Sequence, residues 1–298
     1  VYKRQILNRV VTWGESGIVY EPDQRHSELI IKQLGFDERT KALSTPGEKN
    51  RMTDVSDLAL LQDGDIRAYR SMTMRASYLA QDRPDITFAV KELARQMQAP
   101  TVGDWRALKR LGRYLLGRPR MVIRFDKQHM PTHFDCSVDT DWAGCIRTRR
   151  STNGGALMLG KHLIKTRSTT QAVTALSSGE AEFYGIVKGG SVTLGMLSIM
   201  SDIGLSIRGN VWTDSTTGKG IASRRGLGKV RHINTTFLWI QERVAAQDFA
   251  LLKVKGEENI AGLMTKHLDA KTTDRFLDQL GIVAMSGRSD QQLQVVHS

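Results

Sequence analysis

Ala175-Leu176-Ser177-Ser178-Gly179-Glu180-Ala181-Glu182-Phe183 opens the longest helical stretch of this chain, and its reading decides the fold. Ser177-Ser178-Gly179-Glu180 has the spacing of a capping box, with Ser177 as N-cap and Glu180 reaching back to it. A helix is expected from about 177 to 203. It contains Gly185, Gly189, Gly190 and Gly195, each costing about 1 kcal/mol against Ala, so tertiary packing must hold it. Glu182 lies two residues beyond Glu180, roughly 200° around the helix, and the two carboxylates therefore meet different surroundings.

Outward from this helix, 133–141, 154–160 and 163–168 read as strands, the last two joined by the turn Gly160-Lys161-His162. Downstream, 207–214 is a strand ending on an acid and 216–225 a short helix. Residues 230–246 read as a helix with Ile233, Phe237, Ile240 and Val244 on one side. A strand at 249–254 and a short helix at 259–267 complete the order β-β-β-α-β-α-α-β-α. That order defines a mixed α/β domain over 131–270.

Upstream, 1–36 gives no firm assignment. Residues 37–70 read as a connector, with turns at Ser44-Thr45-Pro46-Gly47 and Asp63-Gly64-Asp65. Helical spacing begins near Ser71, and Pro84 sits at a first helical position. Thr101-Val102-Gly103-Asp104 resembles a capping box for a helix carrying Trp105, Leu108, Leu111 and Leu115, closed by Gly117 and Pro119. Residues 1–130 are thus expected to be mainly helical, and 271–298 a partly disordered C-terminal tail.

The 298 residues are 40% apolar and 25% charged, an ordinary globular composition that excludes disordered, collagen-like and coiled-coil chains. No apolar run approaches about 18 residues, so no membrane span is expected, and no basic-then-apolar secretory start is present. Cys136 and Cys145 are too few for a disulfide framework and fit a reducing compartment. A start at Val1 reads as a fragment of something longer. The 43 Lys and Arg against 31 Asp and Glu give a net charge of +12, which points to a polyanionic partner, nucleic acid before membrane. Two basic stretches carry that excess. Seven basic residues and no acid lie between Trp105 and Arg124, and four of them, Arg106, Lys109, Arg110 and Arg113, form a helix face that is either solvated or phosphate-tracking. The second is Lys219, Arg224, Arg225, Lys229 and Arg231, a solvated loop or a nucleic-acid contact.

Acids are rare in strands because a half-buried pleated surface penalises an unpaired charge. Asp139 and Asp214 nonetheless sit at or near the ends of two expected strands. Each alone could cap a turn or helix. On two parallel neighbouring strands, both would reach one sheet edge, with Glu182 above them. Three converging carboxylates repel unless cations neutralise them, and Mg²⁺ with its oxygen ligands and retained waters suits that role. Two such ions would stabilise attacking and leaving oxygens in phosphodiester cleavage. His133 with the two cysteines fits no standard zinc spacing. Trp142 and Trp212 are expected to pack in the core.

Asp139-Thr140-Asp141-Trp142-Ala143-Gly144, Arg149-Arg150-Ser151-Thr152 and 175–183 resemble the ribonuclease H region of copia-type LTR retrotransposon Pol polyproteins. So do Trp212-Thr213-Asp214-Ser215, Arg231-His232-Ile233 and Leu263-Met264-Thr265-Lys266. Residues 78–86 and 108–115 resemble the segment joining polymerase to nuclease. The resemblance covers about 13–268, and the order of its motifs is more specific than any one of them.

It implies a ribonuclease H-like fold that cleaves the RNA strand of RNA–DNA hybrids with Mg²⁺, two ions expected and Mn²⁺ a substitute. Asp139, Glu182 and Asp214 would be the catalytic and metal-binding acids, with Asp141 a neighbour. It also implies the rest of a Pol polyprotein as partner and a place in the cytoplasm, within a virus-like particle, or in the nucleus. Two departures stand out. The family's Ala-Asp before Leu-x-Thr-Lys is Ala261-Gly262 here, so a fourth carboxylate is missing, with Asp141, Glu257 and Glu258 the candidates to replace it. No Asp-Asp pair of a polymerase palm occurs, so no polymerase activity is expected. The rival reading is a catalytically degenerate nucleic-acid binder; an integrase-type relative is a less favoured third.

Overall fold

The computed structural model describes residues 2–49, 55–145, 148–228 and 230–292. The chain divides into two units, Val1–Lys127 with Lys266–Ser298, and Gln128–Thr265.

The first unit opens on an antiparallel meander that the sequence left unassigned: β1 (Tyr2–Ile6), β2 (Arg9–Gly14) and β3 (Gly17–Glu21). Four helices follow: α1 (Arg25–Gln33), α2 (Asp63–Leu79), α3 (Pro84–Ala94) and α4 (Val102–Gly117), then β4 (Arg120–Asp126). The helices bury Ile30, Tyr69, Met72, Ile86, Leu108 and Leu111 in one cluster. α2 starts at Asp63, within the stretch expected as a turn. Asp63 and Asp65 lie in its first turn, where the helix dipole favours acids. The capping box of α4 is present. Thr101 Oγ1 accepts from the Asp104 amide and the Asp104 carboxylate accepts from the Thr101 amide at 2.9 Å.

The second unit contains β5 (His133–Asp141), β6 (Thr152–Leu159), β7 (His162–Thr170), α5 (Ser178–Asp202), β8 (Arg208–Thr213), α6 (Thr216–Ala222), α7 (Trp239–Ala245) and β9 (Ala250–Lys253). Its sheet runs β7-β6-β5-β8-β9. β5, β6 and β7 pair antiparallel, whereas β8 and β9 join parallel to β5. α5 is long and apolar enough to cross a bilayer. Here it is the core helix, with Ala181, Phe183, Ile186 and Val187 packed among Phe134, Cys136, Val138 and Val211. Gly189 explains one of its glycines: a Cβ there would lie 2.5 Å from Val138 Cγ1, so the helix lies close on the sheet. The helix expected over 230–246 is shorter. A single 3₁₀ turn at Thr235–Phe237, capped by Asn234, precedes α7. The expected last helix is a 3₁₀ segment, Ile260–Met264.

The chain then returns to the first unit as α8 (Ala270–Gln279) and β10 (Ile282–Met285). β10 pairs antiparallel with β4 and completes the order β1-β2-β3-β4-β10. Residues 270–285, most of them expected as a tail, are therefore ordered structure. The first unit also carries a five-stranded sheet that a mainly helical expectation omits.

Candidate active site

β5 and β8 are parallel neighbours, paired through Val138 and Thr213. That pairing carries Asp139 and Asp214 to the same end of the sheet. Glu182 enters from the second turn of α5. One carboxylate oxygen from each of Asp139, Glu182 and Asp214 lies within 4.8 Å of the others. Among the described residues no other group of three or more His, Cys, Asp or Glu forms such a cluster, and Asp141, Glu257 and Glu258 do not join it.

Local packing fixes each acid. Asp139 is buried at 3% exposure, and the buried Thr265 hydroxyl donates to its Oδ2. Asp214 follows β8 directly. Its backbone carbonyl accepts from Lys253, and a Cβ on Gly256 would lie 3.1 Å from its Oδ2, so the loop carrying Glu257 passes beside it. Glu182 has α6 pressed against it: a Cβ on Gly218 would lie 2.9 Å from Glu182 Cβ. The donor set fits a hard divalent ion. Oxygens about 2.1 Å from an octahedral Mg²⁺ stand about 3–4 Å apart, a small closure from the separation seen here.

Glu180 faces elsewhere. The Ser177 hydroxyl accepts from its amide, as a capping box requires, but its carboxylate reaches one residue further back, to the Leu176 amide at 2.9 Å. Tyr184 Oη donates to it at 2.8 Å and His232 Nε2 lies 2.7 Å away. Burial pushes this carboxyl up, yet His232, the Leu176 amide and Tyr184 together hold it below its ordinary range. His232 thus supports the start of α5 and is not a member of the acid cluster.

The expected nucleic-acid residues divide. Arg225 and Arg231 are exposed and Lys219 is half-buried on α6. Arg224 turns into its own loop, donating to the Leu227 carbonyl and lying against Gly228. Lys229 lies outside the described residues. Three arginines of the basic face of α4 have partners within the first unit. Arg106 pairs with the buried Asp57, Arg110 with Glu48 at 2.8 Å, and Arg113 donates to the Lys41 carbonyl at 2.7 Å. The tryptophans differ from expectation. Trp212 is half-buried and donates to Asp135 at 2.8 Å. Trp142 is 46% exposed, with only its indole N–H tied, to the Ala175 carbonyl at 3.1 Å.

Sequence reading missed Thr265 and Asn259 as contributors. Asn259 Nδ2 donates to the Val138 carbonyl at 2.8 Å and so ties the last 3₁₀ segment to β5. Thr265 lies inside a quoted motif, but nothing local to that motif points to Asp139.

No protein-family model matches the chain. It is 28% identical over 218 residues to the retrovirus-related Pol polyprotein from transposon RE2 of Arabidopsis thaliana, covering 72% of this chain and 15% of that protein. It is 28% identical over 271 residues to the retrovirus-related Pol polyprotein from transposon TNT 1-94 of Nicotiana tabacum, covering 88% of this chain and 20% of the relative. The chain thus spans about a fifth or less of these relatives. Among solved structures, the N-terminal RNase H domain of a Mycobacterium tuberculosis protein, fused to maltose-binding protein, aligns at 17% identity and a TM-score of 0.31. That alignment covers 49% of this chain and 97% of the other. With a mixed sheet in the order β7-β6-β5-β8-β9, a core helix and acids at one sheet end, the fold is ribonuclease H-like. The chain is thus similar to the retrovirus-related Pol polyproteins of copia-type transposons, over part of their C-terminal region.

Proposed function

We propose that the chain is a Mg²⁺-dependent endonuclease that cleaves the RNA strand of RNA–DNA hybrids as the ribonuclease H part of a retrotransposon Pol polyprotein. One observation carries this reading: Asp139, Glu182 and Asp214, from three separate elements, bring carboxylate oxygens within 4.8 Å of one another. Mutual repulsion makes such a trio costly without a cation. Bound Mg²⁺ supplies an activated water and stabilises the charge that develops on the scissile phosphate. The chain's own residues then have three tasks. The acids hold the ions and fix where the phosphate lies. Arg225 and Arg231 engage the nucleic-acid backbone without reading its sequence. Trp142, anchored by its N–H, offers an exposed ring face for packing against sugar or base.

An RNA–DNA hybrid in Mg²⁺ tests this. The parent should cut the RNA strand, and Asp214→Asn should fall to background. Asp214→Asn cutting as fast as the parent defeats the reading. Gly262 favours a second reading, a hybrid binder that does not cut, because the segment that approaches Asp139 lacks the acid its relatives are expected to carry there. A parent that binds but does not cut, with cleavage appearing in Gly262→Asp, supports that alternative.

A further inference from the structure

We infer that Thr265 is a positioning residue that sets the orientation of the Asp139 carboxylate toward its cation, an inference that rests on the metal-dependent function proposed above. Side chains alternate along β5. A Cβ on Gly189 of α5 would meet Val138, and Thr140 Oγ1 lies 3.4 Å from the Ala181 carbonyl, so these two residues face α5. Asp139 points to the opposite face, which Ile260–Met264 and Thr265 cover.

That covering segment is fixed by ties other than the one to Asp139. Asn259 donates to the Val138 carbonyl at 2.8 Å and accepts from the Ala261 amide at 3.2 Å. Ser168 of β7 donates to the Met264 carbonyl at 2.6 Å. Gly154 of β6 leaves the room: a Cβ there would lie 2.5 Å from Thr265 Cγ2 and 2.8 Å from the Ala261 carbonyl. The Thr265 backbone is thus set by the sheet beneath it, and its fully buried hydroxyl donates to Asp139 Oδ2. Such a donor selects one rotamer of the carboxylate. With three acids and Gly262 in place of a fourth, the orientation of each remaining ligand weighs more heavily on affinity.

Thr265→Val keeps the branched shape and removes the hydroxyl. Thr265→Ser keeps the hydroxyl and removes the methyl that sits over Gly154. The readout is Mn²⁺ affinity of the intact chain, from the electron paramagnetic resonance signal of free Mn²⁺, beside thermal unfolding in EDTA. Thr265→Val is expected to weaken Mn²⁺ binding about 10-fold, whereas Thr265→Ser binds as the parent does even where its metal-free melting temperature is lower. Thr265→Val binding as tightly as the parent, or Thr265→Ser weakening as much as Thr265→Val, overturns the inference. Asp139→Asn separates the two levels. If it weakens Mn²⁺ binding while Thr265→Val does not, only the positioning role fails. If it leaves binding unchanged, the metal site and the inference fail together.

Discussion

Glu180 and Glu182 are two residues apart and do different work, because a helix turns them to different neighbours. Glu182 meets the two strand acids, while Glu180 collects an amide, a phenol and an imidazole. The Glu180 carboxyl is held below its ordinary range, so it binds a proton less readily folded than unfolded. Its contribution is therefore full above the ordinary carboxylate range and is lost as pH falls from that range through the lower value of the folded state. Glu180→Gln should cost about 1–3 kcal/mol near neutral pH, and the gap from the parent should shrink in acid, measured by urea unfolding across pH. Asp85 and Arg83 form a second residue-scale test. Their fully buried pair, 2.6 Å apart, is joined by Tyr114 Oη at 2.8 Å. Asp85→Asn leaves the Arg83 guanidinium uncompensated and should cost about 3–5 kcal/mol in the same assay.

Whole elements show what periodicity records. Ile233 and Ile240 are buried, and Phe237 and Val244 pack against the same core, as their spacing predicts. The backbone beneath them is nevertheless a 3₁₀ turn followed by a short helix. Spacing reports which side chains face the core, and a capped turn can present them as well as a continuous helix. The basic face of α4 teaches a similar lesson. A run of Arg is equally compatible with phosphate or with nearby acids, and here Asp57, Glu48 and the Lys41 carbonyl take it up. The last 3₁₀ segment lies so close to β6 that Gly154→Ala should cost about 1–3 kcal/mol through overpacking. The midpoint of chemical denaturation checks this.

At the scale of the whole molecule, a net charge of +12 sets the response to salt. Affinity for an RNA–DNA hybrid should fall linearly with the logarithm of salt concentration, read by fluorescence anisotropy. Arg225→Ser and Arg231→Ser should each reduce the slope by about 1 if they meet phosphates. Arg106→Gln should leave the slope unchanged and lower stability, since it strips the partner from the buried Asp57.

The order of strands and helices in the second unit was legible from the text alone, as were the three acids and the caps at Thr101 and Ser177. Those signals are local: hydrophobic repeats of two and 3.6 residues, and polar side chains within four residues of the amide they satisfy. What the text did not contain was decided by contacts between distant residues. β10 joins β4 across the whole second unit, Trp142 stays 46% exposed, Arg106 and Arg110 of α4 find Asp57 and Glu48, and Thr265 reaches Asp139 across 126 positions. Sheet pairing and packing fix which of many chemically equivalent partners meet, and no repeat in the sequence encodes that choice.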